Sequence, residues 1–216
     1  MGGFFPADVH RPGEAAPPRW RSLRSLLDNP AALDARVEFV RVTLSAGGLE
    51  VPARVAGSVV QLGMSGRILA PALAAQALGL QSVSLHAADL WCQDDLGGAY
   101  PLSLTTAAVT DLVEGVIVEL ADLFARRYGV PSRTIWGNLA STINSAARQF
   151  TLARPDLAAA ARAVADHALA DARLDGGRLR VGPAFRRRSC CLIYQASGSR
   201  AAVCGDCVLA AAGHEG

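Results

Sequence analysis

The sequence predicts a mainly α protein: a multi-helix domain with a short β-hairpin or irregular insertion and a C-terminal cysteine-rich segment. Three observations lead there. Of the 216 residues 51% are hydrophobic and only 6% aromatic, and the apolar ones are mostly Ala, Leu and Val, a mix that suits helices packed through small side chains better than a β-sandwich. Apolar positions recur at helical spacing over long stretches bounded by Pro and Gly. That pattern stops after Gly177, where a short Arg- and Cys-rich tail begins.

Residues 1–18 hold several Pro and Gly without periodicity and read as a flexible lead-in. Trp20, Leu23, Leu26 and Leu27 then open an amphipathic helix that stops near Asp28-Asn29-Pro30. A second helix runs from Pro30 to about Leu44 and ends at Gly47-Gly48. A third, from about Pro52 to Leu78, is almost uniformly small and apolar, as expected of a helix buried on most sides. Between Ser82 and Leu104 the period changes to two, at Val83, Leu85, Leu102 and Leu104, with Asp94-Asp95-Leu96-Gly97-Gly98 as a turn. The clearest helix follows, with Val109, Leu112, Val113, Val116, Leu120, Leu123 and Phe124 on one face and Asp111, Glu114, Glu119 and Asp122 mostly on the other. Gly129 ends it, and Pro131 opens a helix to about Phe150. The last helix spans Pro155 to about Leu174 and stops at Asp175-Gly176-Gly177. The organisation is thus a lead-in (1–18), a helical domain (19–182) and a cysteine-rich segment (183–211) packed on it.

A formal net charge of +2 gives no whole-protein field suited to nucleic acid. Every basic side chain is Arg. The N-terminus has no basic stretch followed by an apolar run, so no signal peptide is expected. The uncharged apolar stretch Ile68–Leu80 is thirteen residues long and contains Pro71, too short to span a bilayer. A cytoplasmic, soluble protein is the expectation.

The chemistry lies in the tail. Cys190-Cys191, twelve residues, then Cys204-Gly205-Asp206-Cys207 place four thiols within eighteen residues, and clustered cysteines in a reducing compartment are metal ligands or redox thiols more often than disulfides. In the CxxC half, two intervening residues let both sulfurs turn toward one metal, with Gly205 expected to free the backbone. The adjacent pair is unusual. Neighbouring side chains of an extended chain point to opposite faces, so Cys190 and Cys191 share a centre only across a bend. A two-iron cluster relaxes that demand, because its metals offer thiolate positions in different directions. Spacing alone leaves zinc and an iron–sulfur cluster open. The segment is too small to fold on an apolar core of its own and needs a metal, or docking onto the helices, to be ordered.

A Cys-Cys pair preceded by Arg-rich sequence, then Cys-Gly-x-Cys close to the C-terminus, resembles the FhuF-type ferric siderophore reductases, which carry a [2Fe-2S] cluster on a C-C-x10-C-x2-C signature. Val130 to Asn138, with Trp136-Gly137-Asn138, is similar to that family's Trp-Gly-Asn region, and Leu90-Trp91 with Pro101-Leu102 is similar to its middle. The gap here is twelve residues rather than ten, and the loop Gln195–Ala202, with Gly198 at its tip, is expected to absorb the difference. The resemblance implies a [2Fe-2S] cofactor on Cys190, Cys191, Cys204 and Cys207. It also implies a one-electron reductase of ferric siderophores, of hydroxamate type, supplied by a ferredoxin or similar donor. The alternative is a zinc-stabilised helical binding module with a structural four-cysteine site. A thiol–disulfide protein using Cys204-Gly-Asp-Cys207 fits less well, since that motif opens a helix within a βαβ unit.

Other residues carry weaker signals. Arg186, Arg187 and Arg188 are candidates for docking an acidic ferredoxin or an anionic chelate, and nearby positive charge favours a reduced cluster; the competing reading is a solvated loop. Trp136 and Asn138 are docking candidates whose competing roles are core packing and a helix-local hydrogen bond. Trp91 and His86 are expected to be buried in the insertion, Cys92 to be a small buried thiol, and His167 to lie at the surface. Neither Gly47-Gly48 nor Gly97-Gly98 has the pattern of a phosphate loop.

Overall fold

The computed structural model describes residues 5–80, 82–93, 95–96, 101–107, 111–175, 178–180, 185–199 and 203–209. The mainly α expectation holds. Helix α1 (Leu23–Asp28) is capped by Ser22, whose hydroxyl accepts from the Ser25 N–H. It leads into α2 (Ala31–Ser45) and α3 (Ala53–Ala77). Because α3 is buried along most of its length, the helix continues through Pro71. Helices α4 (Val116–Tyr128) and α5 (Ser132–Ala153) follow, joined by Gly129 in the left-handed conformation at φ 64°. The main packing is of α3 against α5, with α2, α4 and α6 (Ala158–Leu169) around that pair. Their shared core includes Met64, Ile68, Leu73, Leu120, Phe124, Leu139, Ile143 and Phe150. Among the described residues no helix is long and apolar enough to cross a membrane.

The insertion does form a hairpin. Strand β4 (Trp91–Cys92) pairs antiparallel with β5 (Leu102–Leu104), Trp91 opposite Ser103 and Cys92 opposite Leu102. The turn expected between them lies partly outside the described residues. Two segments from the start of the chain complete this sheet: β1 (Asp8–Val9) runs parallel to β5, and β2 (Arg21–Ser22) antiparallel to β4. The lead-in is therefore tied down at residues 8–10. His10 donates its backbone N–H to Leu104 O, hydrogen-bonds Ser103 Oγ through Nδ1 at 2.8 Å, and stacks on Trp91 at 3.6 Å between ring centroids. A second small ladder joins β3 (Ser82–Val83) to β6 (Thr106–Ala107). Trp91 and Cys92 are buried as expected. His86 is not; it lies exposed in the turn between β3 and β4.

Two boundaries differ from the sequence reading. Helix α4 starts at Val116, leaving Leu112 and Val113 of the expected helix outside it (Val109 lies outside the described residues), because Gly115 takes φ 61°, ψ −130° and its neighbour's N–H donates to Leu85 O at 2.8 Å. A backbone set by that tertiary hydrogen bond overrides a helical apolar pattern. A Cβ at position 115 would lie 2.3 Å from Leu85 O, so Gly115→Ala should destabilise the fold by about 3 kcal/mol or more through clash and strain. Chemical denaturation with an unchanged midpoint would contradict this. The expected helix over 155–174 is divided into a 3₁₀ turn (Pro155–Leu157), α6 and α7 (Ala172–Asp175). Ala170 N–H already bonds both Asp166 and His167 carbonyls, and Asp171 Oδ1 caps the Arg173 N–H, so the chain turns there. His167 is exposed.

Candidate metal centre

After α7 the chain forms β7 (Arg178–Arg180), which pairs antiparallel with β8 (Arg186–Arg187). Side chains alternate along this last strand and its flanks. Phe185, Arg187 and Ser189 face inward and are buried, whereas Arg186 is half-buried and Arg188 exposed. Cys190 and Cys191 come directly after this strand, so they inherit a fixed position on the helical body. Ser58 of α3 holds them there, its hydroxyl donating to Cys191 O at 2.8 Å.

The bend that the adjacent cysteines require lies at Leu192, which has φ 70°, a conformation uncommon outside Gly. The turn brings the Leu192 N–H back to Cys190 Sγ at 3.3 Å. The chain continues into a short helix α8 (Tyr194–Ser197), closed by Gly198 at φ 65°. Part of the loop expected to absorb the longer gap, residues 200–202, lies outside the described residues. The knuckle is a turn closed by Cys207 N–H to Cys204 O at 3.0 Å, and the Leu209 N–H reaches Cys207 Sγ at 3.4 Å. Gly205 has no positive φ, and a Cβ there would touch nothing within 4 Å. The turn does not depend on glycine at that position, contrary to the sequence reading.

Three contacts fix the knuckle to the body. Arg187 N–H donates to Asp206 O at 3.1 Å, Arg186 Nε to Cys207 O at 3.2 Å, and Ser141 Oγ of α5 to an Asp206 carboxylate oxygen. As a result the two halves of the motif meet: Cys191 Sγ lies 3.5 Å from Cys204 Sγ, and Cys190 and Cys207 are close enough to influence each other electrostatically. Cys191 and Cys207 are fully buried, and the other two are partly covered.

Electrostatics separate the pairs. The thiol of Cys191 is held well below its usual range, first by the hydrogen bond from Cys204, then by the Ile193 N–H and the Arg187 guanidinium, all against the cost of burial. Cys204, the donor in that pair, is pushed up, first by that bond and then by burial. Burial raises Cys190, with Cys207 adding to it. A thiolate is thus favoured at Cys191, beside the cation.

A single tetrahedral ion with metal–sulfur bonds of about 2.3 Å spaces all of its sulfurs about 3.8 Å apart. The 3.5 Å between Cys191 and Cys204 is close to that spacing, so these two sulfurs are placed to share one metal. The donor chemistry agrees, since four soft thiolates select zinc or iron–sulfur centres over hard cations.

Residues 187–209 match the family described as the FhuF 2Fe-2S C-terminal domain. This segment is a [2Fe-2S] cluster-binding domain. All four cysteines fall inside the FhuF segment and fit its Cys-rich motif. No curated protein matches the chain.

The FhuF segment's surroundings fit such a group through Arg187. Its side chain is 0% exposed, and Nε and Nη2 have no hydrogen-bond partner. A buried cation left partly unpaired is costly. The anionic tetrathiolate centre beside it supplies the missing counter-charge, and both Cys191 and Cys204 lie within the guanidinium's electrostatic reach.

The docking candidates separate. Arg188 is exposed and Arg186 is anchored to the knuckle. Arg187 and Asn138 are both 0% exposed and out of reach of a docked molecule. Asn138 does not bond within its own helix. Its amide nitrogen donates to Ser58 Oγ (3.0 Å) and Gln61 Oε1 (2.9 Å) of α3, and its oxygen accepts from Arg187 Nη1 at 3.0 Å. Trp136, on the same helix, is half-buried beneath the Arg173 guanidinium at 5.3 Å. The role of Ser58, Ser141 and Asn138 was hidden from sequence reasoning because small polar residues on apolar helices carry no spacing signal. The inward position of Arg187 did have one: Phe185, Arg187 and Ser189 alternate as in a strand.

Proposed function

We propose that the protein is a one-electron reductase of ferric iron held by an oxygen-donor chelate, a siderophore of hydroxamate type, with a small one-electron donor protein as its partner in a cytoplasmic setting. Cys190, Cys191, Cys204 and Cys207 hold the [2Fe-2S] cluster in this reading. The cluster supplies single electrons, and their transfer to Fe³⁺ releases the iron, because hard oxygen ligands hold Fe²⁺ far more weakly. The observation that carries the reading is the FhuF segment with its doublet and knuckle brought together, Cys191 Sγ lying 3.5 Å from Cys204 Sγ.

The remaining work falls to the protein surface. Cys190 and Cys204 are only partly covered; exposed Arg188 stands two residues before Cys190, and exposed Val208 (39%) and Leu209 (38%) follow Cys207. Electron transfer at such an edge needs close approach and no proton relay, so no acid–base machinery is required. Arg188 supplies charge for an anionic chelate or an acidic donor. Arg188→Glu should slow electron transfer severalfold at low salt, with the difference vanishing at high salt as the field is screened. Equal rates at low salt would remove Arg188 from the docking surface.

The testing experiment is anaerobic. Protein reduced by dithionite, freed of excess reductant, is mixed with a ferric hydroxamate in the presence of a ferrous chelator. The reading requires the reduced protein's EPR signal to disappear as the coloured ferrous complex forms in equal amount. A signal that persists, with no ferrous complex, would refute it.

A further inference from the structure

Among charged side chains at the motif, Arg187 is the one that docking cannot use. It is fully buried, and its surroundings are asymmetric. Nη1 donates to Asn138 Oδ1 at 3.0 Å, and the backbone N–H is spent on Asp206 O. The Asp206 carboxylate approaches Nη2 only to 3.6 Å, which is an ion-pair distance and not a hydrogen bond. That carboxylate is itself shared with Ser141 Oγ. The Nε and Nη2 hydrogens have no hydrogen bond of ordinary geometry among the described residues; the guanidinium's remaining contact is with the Cys191 sulfur, and Cys204 also lies in its field.

The support beneath Arg187 is rigid. Asn138 is locked by Ser58 and Gln61 of α3, and the same Ser58 hydroxyl bonds Cys191 O. One polar network thus fixes a cation and a cysteine relative to each other on two packed helices. A guanidinium remains charged at any working pH. A fixed charge in a poorly hydrated site acts more strongly than one in water and is little screened by salt.

We propose that Arg187 is a positioning residue that sets the cluster's reduction potential. Buried beside Asp206 of the knuckle and within reach of the Cys191 and Cys204 sulfurs, the guanidinium stabilises the extra electron. The proposal rests on the [2Fe-2S] reading of the four cysteines. Reduction adds one negative charge to the centre and moves no proton and no bond, so a buried cation beside it favours the reduced form directly. The cation's preference for one pair also makes the centre asymmetric. On the Cys190 and Cys207 side the neighbouring cation is Arg186, which is only half-buried and already donates Nε to Cys207 O at 3.2 Å.

The experiment compares wild type, Arg187→Gln, Arg187→Lys and Arg188→Gln as purified holoproteins. Iron, acid-labile sulfide and visible spectra establish first that the cluster is present, which tests the underlying reading separately from this one. Reduction potentials then come from dye-mediated titration at low and high salt. Arg187→Gln should disfavour reduction at least tenfold, a shift of about 59 mV for one electron, equally at both salt concentrations. Arg187→Lys, which keeps a charge, should recover most of that loss, and Arg188→Gln should shift the potential less than threefold. An Arg187→Gln protein with a full cluster and a potential within threefold of wild type would overturn the proposal. So would an Arg187→Lys shift as large as that of Arg187→Gln. Where Arg187→Gln fails to hold the cluster, assembly in Arg187→Lys supports the need for charge, and its failure there counts against it.

Discussion

Replacing Cys191 by Ala leaves a protein without its cluster. Iron and acid-labile sulfide should fall below about a tenth of the wild-type content, since even partners outside the ligand set cost 10–100-fold in metal affinity when removed. The visible absorbance should vanish with them. Cys191 is the strongest choice because several functions meet on it. Its sulfur contacts that of Cys204 at 3.5 Å, its carbonyl is held by Ser58, and its thiolate is favoured by Cys204, Ile193 and Arg187. The loss should spread beyond the metal. Residues 185–209 contribute few apolar side chains to the core, so their order depends on the centre, and limited proteolysis should cut the tail of the variant first. Cys92→Ala is the control. Cys92 is buried in β4 away from the motif, and that variant should retain iron and sulfide in full.

Asn138→Leu should destabilise the whole chain by about 3 kcal/mol, because it strands buried polar partners on two other elements at once. Ser58 and Gln61 of α3 lose a donor, and Arg187 of β8 loses the acceptor of its Nη1, which leaves still more of a buried guanidinium unpaired. For a chain of this size that corresponds to a melting temperature lower by roughly 6–12 °C. Differential scanning calorimetry of the holoprotein checks it. A melting temperature within about 2 °C of wild type would mean that the network contributes little and that the apolar packing of α3 on α5 suffices.

The four cysteines were legible from the sequence because ligand chemistry needs particular residue types at short range, and short-range spacing is what a sequence displays. The helices were legible for a similar reason, since period and punctuation are local. What escaped was non-local. The Gly115–Leu85 contact moved the start of α4 by several residues, and the N-terminal strands exist only because the β4–β5 hairpin offers them edges. Asn138 looked like part of a helix start, yet its partners lie on α3 and β8. The Arg triplet looked like one charged patch. Strand alternation divides it into an exposed side chain, an anchored one and a buried one. Gly205 misled in the other direction, as a glycine in a knuckle where the backbone makes no demand for one.

Spacing left zinc and iron level. The Cys191–Cys204 contact and the buried guanidinium call for an anionic tetrathiolate centre without choosing its metal, since zinc and an oxidised [2Fe-2S] cluster on four thiolates carry the same double negative charge. The match of residues 187–209 to the FhuF 2Fe-2S C-terminal domain is what favours iron.

The most direct measurement is metal and sulfide analysis of anaerobically purified protein, joined to EPR after dithionite reduction. The account predicts a red-brown protein with iron and acid-labile sulfide at about two each per chain and a spin signal that appears on reduction. Stoichiometric zinc, no visible absorbance and no signal would contradict it.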